Sequence, residues 1–344
     1  MNSIEFITST KNFLSKEYFM KTHDLPLSVI LLTHDQADIL SMQISALECQ
    51  RNIKASDFEI IVTDDSSKQS EILKIWDILS RTSLNCHLLQ QRSDRFWATG
   101  ARNNAIREAR GNLLLFLDGD MIPEIDVLSK HVSMQNGQRN HIVAGHRLRR
   151  RIEFQSIEHT SEFDQVLKRF KNTGIFDPLI AQWQLNEERK RLEFLRSKHS
   201  WRIVLSCHMS VNASPEVLFD EYFKGWGPED WELAYRLTQH HGYTVNFAPD
   251  IIAYEIDHLG QGIGNVFRLR TKQAIIDYLR NTFYFFDKCP GQEVEDVFWG
   301  LRKLELRDDS WIVTPNNKSC DLNQRVIETR RWLAINKHYE AMIT

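Results

Sequence analysis

Residues 112–121 read N-L-L-L-F-L-D-G-D-M, in which five apolar residues precede two aspartates that flank one glycine. A short apolar run bounded by turn residues predicts a buried β-strand. Residues two apart at the end of a strand point to the same side, so the carboxylates of Asp118 and Asp120 are expected to face the same space. In open α/β sheets the ligand lies outside the carboxyl ends of the strands. This stretch therefore predicts a strand that presents two carboxylates to a ligand.

Two other runs predict neighbouring strands of the same sheet. Residues 27–33 read L-S-V-I-L-L-T, and residues 58–65 read F-E-I-I-V-T-D-D, which again ends in two carboxylates. Helical patterns follow both runs, and the alternation continues with a strand at 86–90 and a helix at 99–109 that is closed by Gly111. Alternating strands and helices predict a mixed, mainly parallel sheet of the α/β class with helices on both faces.

The composition is that of a globular protein without a strong charge bias. The 344 residues include 43 Lys and Arg against 46 Asp and Glu, so the formal charge is -3 and offers no whole-molecule attraction to nucleic acid. The five cysteines form no C-x-x-C pair, which predicts neither a zinc cluster nor a disulfide framework and favours a reducing, cytoplasmic compartment. The longest uncharged apolar stretch, 25–33, is much shorter than the roughly 20 residues of a membrane-spanning helix.

The chain is predicted to consist of a main domain with an appendage at each end. Residues 1–25 are expected to pack on the main domain as a leader, residues 26–265 to form that domain, and residues 266–344 to form a helical extension. Residues 150–202 are helical in pattern and basic. This insertion is interpreted either as a solvated helical face or as a patch that contacts an acidic acceptor or a membrane surface.

The D-G-D turn has the chemistry of a divalent metal site. Hard cations take oxygen ligands and often complete their shell with substrate phosphates, so a metal at Asp118 and Asp120 predicts a metal-bound diphosphate. Gly119 is expected to let that ligand approach the backbone. D-x-D also occurs in ordinary surface turns, and the apolar strand before it favours the metal site here.

The second carboxylate pair, Asp64 and Asp65, is followed by two serines. Asp and Ser are preferred in turns and at helix N-caps, so the segment is interpreted as the start of the next helix. Its carboxylates are also placed to accept hydrogen bonds from the ring N–H or the ribose hydroxyls of a nucleoside. Both interpretations can hold together.

A glycine-rich turn that opens a helix lies at residues 225–236, G-W-G-P-E-D-W-E-L-A-Y-R. Gly227 and Pro228 stand where an N-cap and a first-turn proline would, which places Glu229 and Asp230 in the first helical turn. The helix dipole favours their ionised forms there, so they are interpreted as dipole complements or as functional acids. The flanking tryptophans favour the second interpretation, because aromatic faces stack on sugars while carboxylates accept hydroxyl hydrogen bonds.

His258 follows the strand-like run 253–257 and precedes three glycines. A lone histidine is either structural or a ligand, and this one could complete a shell of aspartate and phosphate. Imidazole suits Mn²⁺ better than Mg²⁺, so the expected cofactor is Mn²⁺, with Mg²⁺ as the alternative.

In order and spacing these segments resemble the GT-A fold glycosyltransferases of family 2, in particular the chondroitin-polymerase-like and β-1,4-galactosyltransferase-like branches. The likeness covers about residues 26–265 and is carried by S-V-I-L-L-T, D-D-S-S, A-R-N-N-A at 101–105, F-L-D-G-D-M and G-W-G-P-E-D-W-E-L-A-Y-R. Pro228 departs from the family, which often has a second glycine there. The resemblance implies a Rossmann-like GT-A fold and an enzyme of polysaccharide synthesis that transfers a hexose or N-acetylhexosamine from a UDP-sugar.

The resemblance also implies roles for the candidate residues. Four of them would bind the nucleotide: Thr33, Asp64, Asp65 and Arg102. Asp118 would contact the ribose or the metal, and Asp120 and His258 would ligate the metal. Asp230 would be the catalytic base, and Glu229 would hold the acceptor hydroxyl. Three further residues would line the nucleotide-sugar site, with the tryptophan as a wall for sugar and acceptor: Gly119, Trp226 and Gly227.

A single in-line displacement agrees with these roles. Asp230 supplies the carboxylate that takes the proton of the acceptor hydroxyl, and the metal at Asp120 supplies the counter-charge for the leaving diphosphate. One displacement inverts the anomeric configuration. The expected acceptor is a glycan, with a peptide side chain as the alternative.

Two other functions stay open on the sequence. A nucleotidyltransferase could use the same sheet and D-x-D turn, although T-H-D-Q-A-D-I after the first strand has no glycine for a phosphate loop. A non-catalytic nucleotide-sugar-binding partner of another transferase is the second.

Overall fold

The computed structural model describes residues 3–6, 24–151, 178–257, 272–289, 304–307, 310–313, 327–328 and 330–331. Its strands are β1 (Ser3–Phe6), β2 (Leu25–Thr33), β3 (Phe58–Asp65), β4 (Cys86–Gln91), β5 (Gly111–Asp118), β6 (Met121–Pro123), β7 (His141–Arg151), β8 (His208–Asn212), β9 (Thr244–Asp257), β10 (Leu304–Arg307) and β11 (Ser310–Val313). Its helices are α1 (Ala37–Glu48), α2 (Gln69–Arg81), α3 (Ala98–Glu108), α4 (Val127–Gln135), α5 (Pro178–Leu195), α6 (Glu229–His240) and α7 (Lys272–Lys288).

The main sheet is mixed and mainly parallel, as the sequence predicts. Its strand order is β1-β4-β3-β2-β5-β8-β7-β9-β6. Strands β1 to β5 pair in parallel, whereas β8 is antiparallel to β5 and to β7. In the register, Thr33 lies beside Asp64 while Leu32 lies beside Asp118. Thr33, Asp64 and Asp118 therefore lie at the carboxyl ends of adjacent parallel strands.

Both faces of the central strands are buried, which explains their continuous apolar sequence. On β2, Ile30 belongs to a core cluster with Phe116 and Trp201, whereas Val29 and Leu31 belong to the cluster on the other face. Each fully buried side chain of this kind contributes about 1.5–3 kcal/mol. The elements that carry the site are thus fixed by two cores rather than one.

Several boundaries differ from the sequence expectation. Gly111 does not close α3, which ends at Glu108, but begins β5, where a Cβ atom would lie 2.2 Å from the backbone nitrogen of Ser28. The strand-like run 253–257 is part of a longer strand, β9, which begins at Thr244.

The structure describes parts of the two predicted appendages. Residues 3–6 of the predicted leader extend the sheet as β1, beside β4. The predicted helical extension contains α7 but also the antiparallel hairpin β10–β11. No helix in the described ranges is long and apolar enough to span a membrane.

Candidate active site

The ends of β2 and β3 hold two buried oxygen atoms that lack a hydrogen-bond partner in the described part of the chain. These are Thr33 Oγ1 and Asp64 Oδ1. Asp64 Oδ2 accepts a hydrogen bond from the backbone N–H of Ser67 at 3.1 Å, and burial raises the pKa of this carboxyl. A buried acceptor normally has a donor, so a ligand donor fits here. This observation agrees with the nucleotide role predicted for Thr33 and Asp64, which stays a prediction.

Asp65, the next residue, already has internal partners on both carboxylate oxygens. Oδ1 accepts hydrogen bonds from Gln91 Nε2 at 2.8 Å and Ser93 Oγ at 3.2 Å, and Oδ2 accepts one from the backbone N–H of Trp97. The side chain is completely buried. The structure thus uses Asp65 to hold the loop between β4 and α3, and its predicted contact with the nucleotide has no support in this geometry.

The D-G-D turn after β5 is fixed from below by a buried glutamine on α1. Gln43 Nε2 donates to the carbonyl oxygens of Asp118 and Met121, both at 2.7 Å. A Cβ atom on Gly119 would lie 2.5 Å from Gln36 Oε1. Gly119 therefore serves close packing against the chain that follows β2, rather than the approach of a ligand from that side. Gln43 was missed by the sequence analysis, and its only signal there is a polar residue on the apolar face of a helix.

Arg102 connects the D-G-D turn with the first turn of α6. Its guanidinium is buried, donates to Asp118 Oδ1 at 2.7 Å, and lies 3.6 Å from Glu229 Oε1. Burial lowers the pKa of Arg102 while the carboxylates around it raise it, and the net direction is upward, so the group stays charged. The two acidic motifs that are more than 100 residues apart in sequence thus share one cation.

Pro228, not Gly227, is the N-cap of α6, and Glu229 and Asp230 are its first two residues. Burial raises the pKa of both carboxyls, and the charge of Asp230 adds to the shift at Glu229 while Arg102 opposes it. Desolvation therefore outweighs the helix dipole, which on sequence grounds favours the ionised forms. Ser206 Oγ donates a hydrogen bond to Asp230 Oδ1 and fixes the carboxylate.

The two tryptophans of this turn have different environments. Trp226 is half-buried and stacks on Tyr278 of α7, with ring centroids 5.4 Å apart and an angle of 29° between the planes. Trp231 packs edge-on against the buried Trp201 and donates to the carbonyl oxygen of Arg202 at 3.1 Å. Trp226 thus stays a candidate wall for a sugar. The expectation that both tryptophans flank a sugar is wrong for Trp231, which is a packing residue.

The donor set at the D-G-D turn fits a hard divalent cation in chemical type. Asp118 and Asp120 offer carboxylate oxygens at a strand end, and such a cation commonly takes its other ligands from a phosphate. The described residues contain no group of three histidine, cysteine or acidic side chains arranged to hold a metal. His258, the third predicted ligand, lies outside the described residues.

Comparison with known proteins places this geometry in a family. The model of the family "Glycosyl transferase family 2" matches residues 28–207, which contain the D-D-S-S and D-G-D turns. The chain is 27% identical over 232 residues to the uncharacterized glycosyltransferase YfnE of Bacillus subtilis, covering 59% of this chain and 58% of that protein. It is 26% identical over 253 residues to the hyaluronan synthase of Pasteurella multocida, covering 68% of this chain and 25% of the synthase. The chain thus matches only part of each relative's length.

Solved structures share the fold at low sequence identity. A mannosyltransferase of Pyrobaculum calidifontis, in complex with GDP-Man and Mn²⁺, superposes with a TM-score of 0.50 at 13% identity, covering 94% of this chain and 80% of that one. GalNAc-T7 with UDP, GalNAc and Mn²⁺ gives a TM-score of 0.51 at 16% identity, covering 92% and 58%. The family match and the shared fold lead to one assignment: this chain belongs to glycosyl transferase family 2 and has the GT-A fold.

Proposed function

We propose that this protein is an inverting, metal-dependent enzyme that moves a hexose or N-acetylhexosamine from a UDP-sugar to a hydroxyl group of a glycan. One observation carries the proposal. The guanidinium of Arg102 contacts Asp118 at the predicted diphosphate site and lies 3.6 Å from Glu229 at the predicted acceptor site. A donor and an acceptor bound at these two places would meet beside the carboxylate of Asp230.

The proposed donor site begins at the buried strand ends. Thr33 Oγ1 and Asp64 Oδ1, which lack partners in the described residues, are placed to bind the base or the ribose. Burial raises the pKa of Asp64. Its carboxylate would therefore accept a hydrogen bond from a ring N–H more strongly in this water-poor site than a solvated carboxylate would. Asp118 and Asp120, with His258 from outside the described residues, would hold Mn²⁺ or Mg²⁺. When bound, the cation would supply counter-charge for the diphosphate that leaves.

The proposed chemistry at the acceptor relies on the acids of α6. Asp230 takes the proton of the attacking hydroxyl as the new glycosidic bond forms at the anomeric carbon and the bond to the diphosphate breaks. Its raised pKa makes it a stronger base than an ordinary aspartate, and Ser206 holds it in place. Glu229 orients the hydroxyl. Trp226 offers a face on which a sugar ring can stack.

A glycan is the acceptor we favour, with a peptide side chain as the alternative. The relatives of this chain include proteins named hyaluronan synthase and chondroitin synthase, and both names describe glycan products. The buried thiols Cys86, Cys207 and Cys289 agree with the reducing, cytoplasmic compartment we propose. The division into residues 1–25, 26–265 and 266–344 also remains a proposal.

The exposed face of α5 suggests contact with an anionic membrane surface. Leu185 and Leu192 are 58% and 48% exposed, and Arg189 lies between them on the same helical stripe. Lys190 is also exposed, on the shoulder of this stripe. Apolar side chains alternating with cations are typical of helices that lie in the surface of an anionic bilayer.

The test is a panel of UDP-sugars incubated with the enzyme, glycan fragments and Mn²⁺, in which UDP release and the product linkage are measured. An α-linked donor should give a β-linked product, and Asp120→Ala should abolish transfer and weaken Mn²⁺-dependent UDP binding in calorimetry. Asp230→Asn should bind UDP normally while kcat falls about 10²–10⁴-fold, as expected when general-base catalysis is lost. The exposed Asp77→Asn on α2 is the matched control and should behave as wild type.

Three outcomes would count against the proposal. Retention of the α configuration would exclude a single displacement. Tight UDP binding that chelator leaves unchanged would exclude the metal. Conversion of the UDP-sugar and added inorganic diphosphate to UTP and a sugar 1-phosphate, without transfer to the glycan, would identify a nucleotidyltransferase.

A further inference from the structure

The loop 224–228, which leads into the two acids of α6, is held between two other parts of the chain. On one side the backbone N–H of Gly225 donates to the carbonyl oxygen of Phe96 at 2.7 Å. On the other side Asn281 Nδ2 of α7 donates to the carbonyl oxygens of Lys224 at 3.0 Å and Trp226 at 3.4 Å. The path of the loop therefore depends on α7, which lies beyond the stretch matched by the family model.

Asp277 closes the contact around Gly225. The glycine has a φ of +78°, and a Cβ atom there would lie 2.4 Å from Asp277 Cβ, so no other residue fits without movement. Asp277 Oδ1 lies 3.3 Å from Arg95 Nη1 and 3.4 Å from Arg280 Nη1. The Arg95–Asp277 pair joins the loop before α3 to α7 across the glycine.

The same face of α7 also supports the aromatic wall. Tyr278 stacks on Trp226, and Asp277, Tyr278 and Asn281 lie within one helical turn of each other. Asn281 is completely buried and Asp277 is 4% exposed. An amide buried in this way normally occurs where its hydrogen bonds fix a particular backbone path.

We propose that α7 is an integral part of the active site and that Asn281 is a positioning residue for the reaction. Through the carbonyl groups of loop 224–228 it sets the location of Trp226 and the start of α6, where Glu229 and Asp230 lie. The proposal rests on the function proposed above, because it assigns Asn281 to the placement of the acceptor side of that site. Asn281 contacts neither the donor residues on β2 and β3 nor the D-G-D turn in any described hydrogen bond.

The test compares Asn281→Ala and Tyr278→Leu with Asp287→Asn, an exposed position at the end of the same helix, as the control. Small displacements of a catalytic group cost about 10²-fold in rate, so kcat for transfer should fall about 10–100-fold in the first two variants. The Kd for UDP should stay within about twofold of wild type, because UDP lacks the sugar that would contact Trp226. Asp287→Asn should keep native kcat. A thermal unfolding curve of each variant checks that it is still folded at the assay temperature.

The outcomes separate this inference from the proposed function. Tyr278→Leu acts on Trp226 without touching the buried amide, so it provides a test if Asn281→Ala does not fold. Native kcat in the folded variants, or a loss of UDP affinity equal to the loss of kcat, overturns the positioning role. Native turnover in Asp230→Asn overturns the base assignment instead, and a selective loss of kcat at Asn281 would still support the role of α7.

Discussion

At the scale of single residues, the candidate site places three carboxylates around one arginine. Arg102 contacts Asp118 and lies near Glu229, while Asp230 adds a third negative charge beside them. Burial raises the pKa of Glu229 and of Asp230, and the neighbouring carboxylates add to the rise while the single charge of Arg102 opposes it. This imbalance gives a proposed base that is stronger than a solvated aspartate.

The pH dependence of kcat tests that balance. A base with a raised pKa keeps its proton up to a higher pH. The rising limb of the plot of kcat against pH should therefore have its midpoint above the pKa of ~4 of an ordinary carboxyl. Glu229→Gln removes the neighbouring charge, so the limb should move to lower pH while the acceptor KM rises. The measurement is kcat against pH at saturating donor. A limb that stays fixed in Glu229→Gln would show that the two acids do not interact.

A second residue-scale prediction concerns a buried histidine pair away from the site. His131 Nε2 and His208 Nε2 are 3.2 Å apart, and Ser210 Oγ contacts His131 Nδ1 at 2.8 Å. Burial lowers the pKa of both rings, to about 3 for His208, and the charges of Arg191 and His146 act in the same direction on His208. Both rings are therefore neutral in the folded protein at neutral pH.

The unfolded chain binds these protons near pH 6.5, whereas the folded protein does not bind them until much lower pH. Stability is therefore full above pH 6.5 and falls as the pH decreases, by roughly 1.4 kcal/mol per pH unit for each ring. Urea unfolding at pH 7.5, 6.0 and 5.0 measures the slope. His131→Asn should give a shallower slope, and an unchanged slope would contradict the assignment.

At the scale of elements, the adjacent residues Asp64 and Asp65 at the end of β3 have different roles. Asp64 keeps an oxygen without a described partner, whereas Asp65 ties the end of β3 to the loop that leads into α3. Side chains alternate along a strand, so neighbours at its end serve opposite sides. The D-D pair therefore combines a proposed ligand contact with a structural one.

Matched substitutions distinguish the two aspartates. Asp64→Asn should weaken UDP binding at least tenfold with little change in the free energy of unfolding. Asp65→Asn places an amide N–H against a donor, so the free energy of unfolding should fall about 1–3 kcal/mol while the folded protein binds UDP almost normally. Calorimetry and urea unfolding of both variants give the comparison. The reverse pattern would restore Asp65 as the nucleotide contact.

The elements that local patterns specify are the ones the sequence predicts correctly. β2, β3 and β5 are apolar runs of ordinary length. Because the three strands are parallel neighbours, their carboxyl ends lie side by side and bring Asp64 and Asp118 close together. β9 runs as one strand through Pro249, which lacks a backbone N–H. Consecutive residues Gly145 and His146 of β7 pair with Ala248 and Ile252 of β9, so residues 249–251 leave the ladder around the proline, and this long-range register has no local signal in the sequence. Asn281 was missed for the same reason, since its partners are more than 50 residues away.

At the scale of the whole molecule, whose net charge is -3, helix α5 exposes two leucines and two cations side by side: Leu185, Leu192, Arg189 and Lys190. The basic middle section is expected to form one patch, but the structure separates its members. Arg189 and Lys190 are exposed, whereas Arg191 is 8% exposed and its guanidinium lies 5.4 Å from the ring centre of Phe247. Arg191 is thus a packing residue and cannot belong to a surface that binds an anion.

The membrane proposal therefore predicts a selective effect of charge reversal on α5. Arg189→Glu combined with Lys190→Glu should release the protein from vesicles that contain anionic lipid. Raising the salt concentration should release the wild-type protein in the same way, because exposed charges are screened within about 10 Å at 0.1 M salt. Leu185→Ser with Leu192→Ser should reduce binding without the strong salt dependence.

UDP-sugar hydrolysis should be unchanged in both double variants, since neither pair belongs to the proposed site. Cosedimentation with anionic and with zwitterionic vesicles is the measurement. Binding that survives both double variants would leave the stripe as an ordinary solvated face, and a loss of transfer without any loss of vesicle binding would identify an anionic acceptor as its partner.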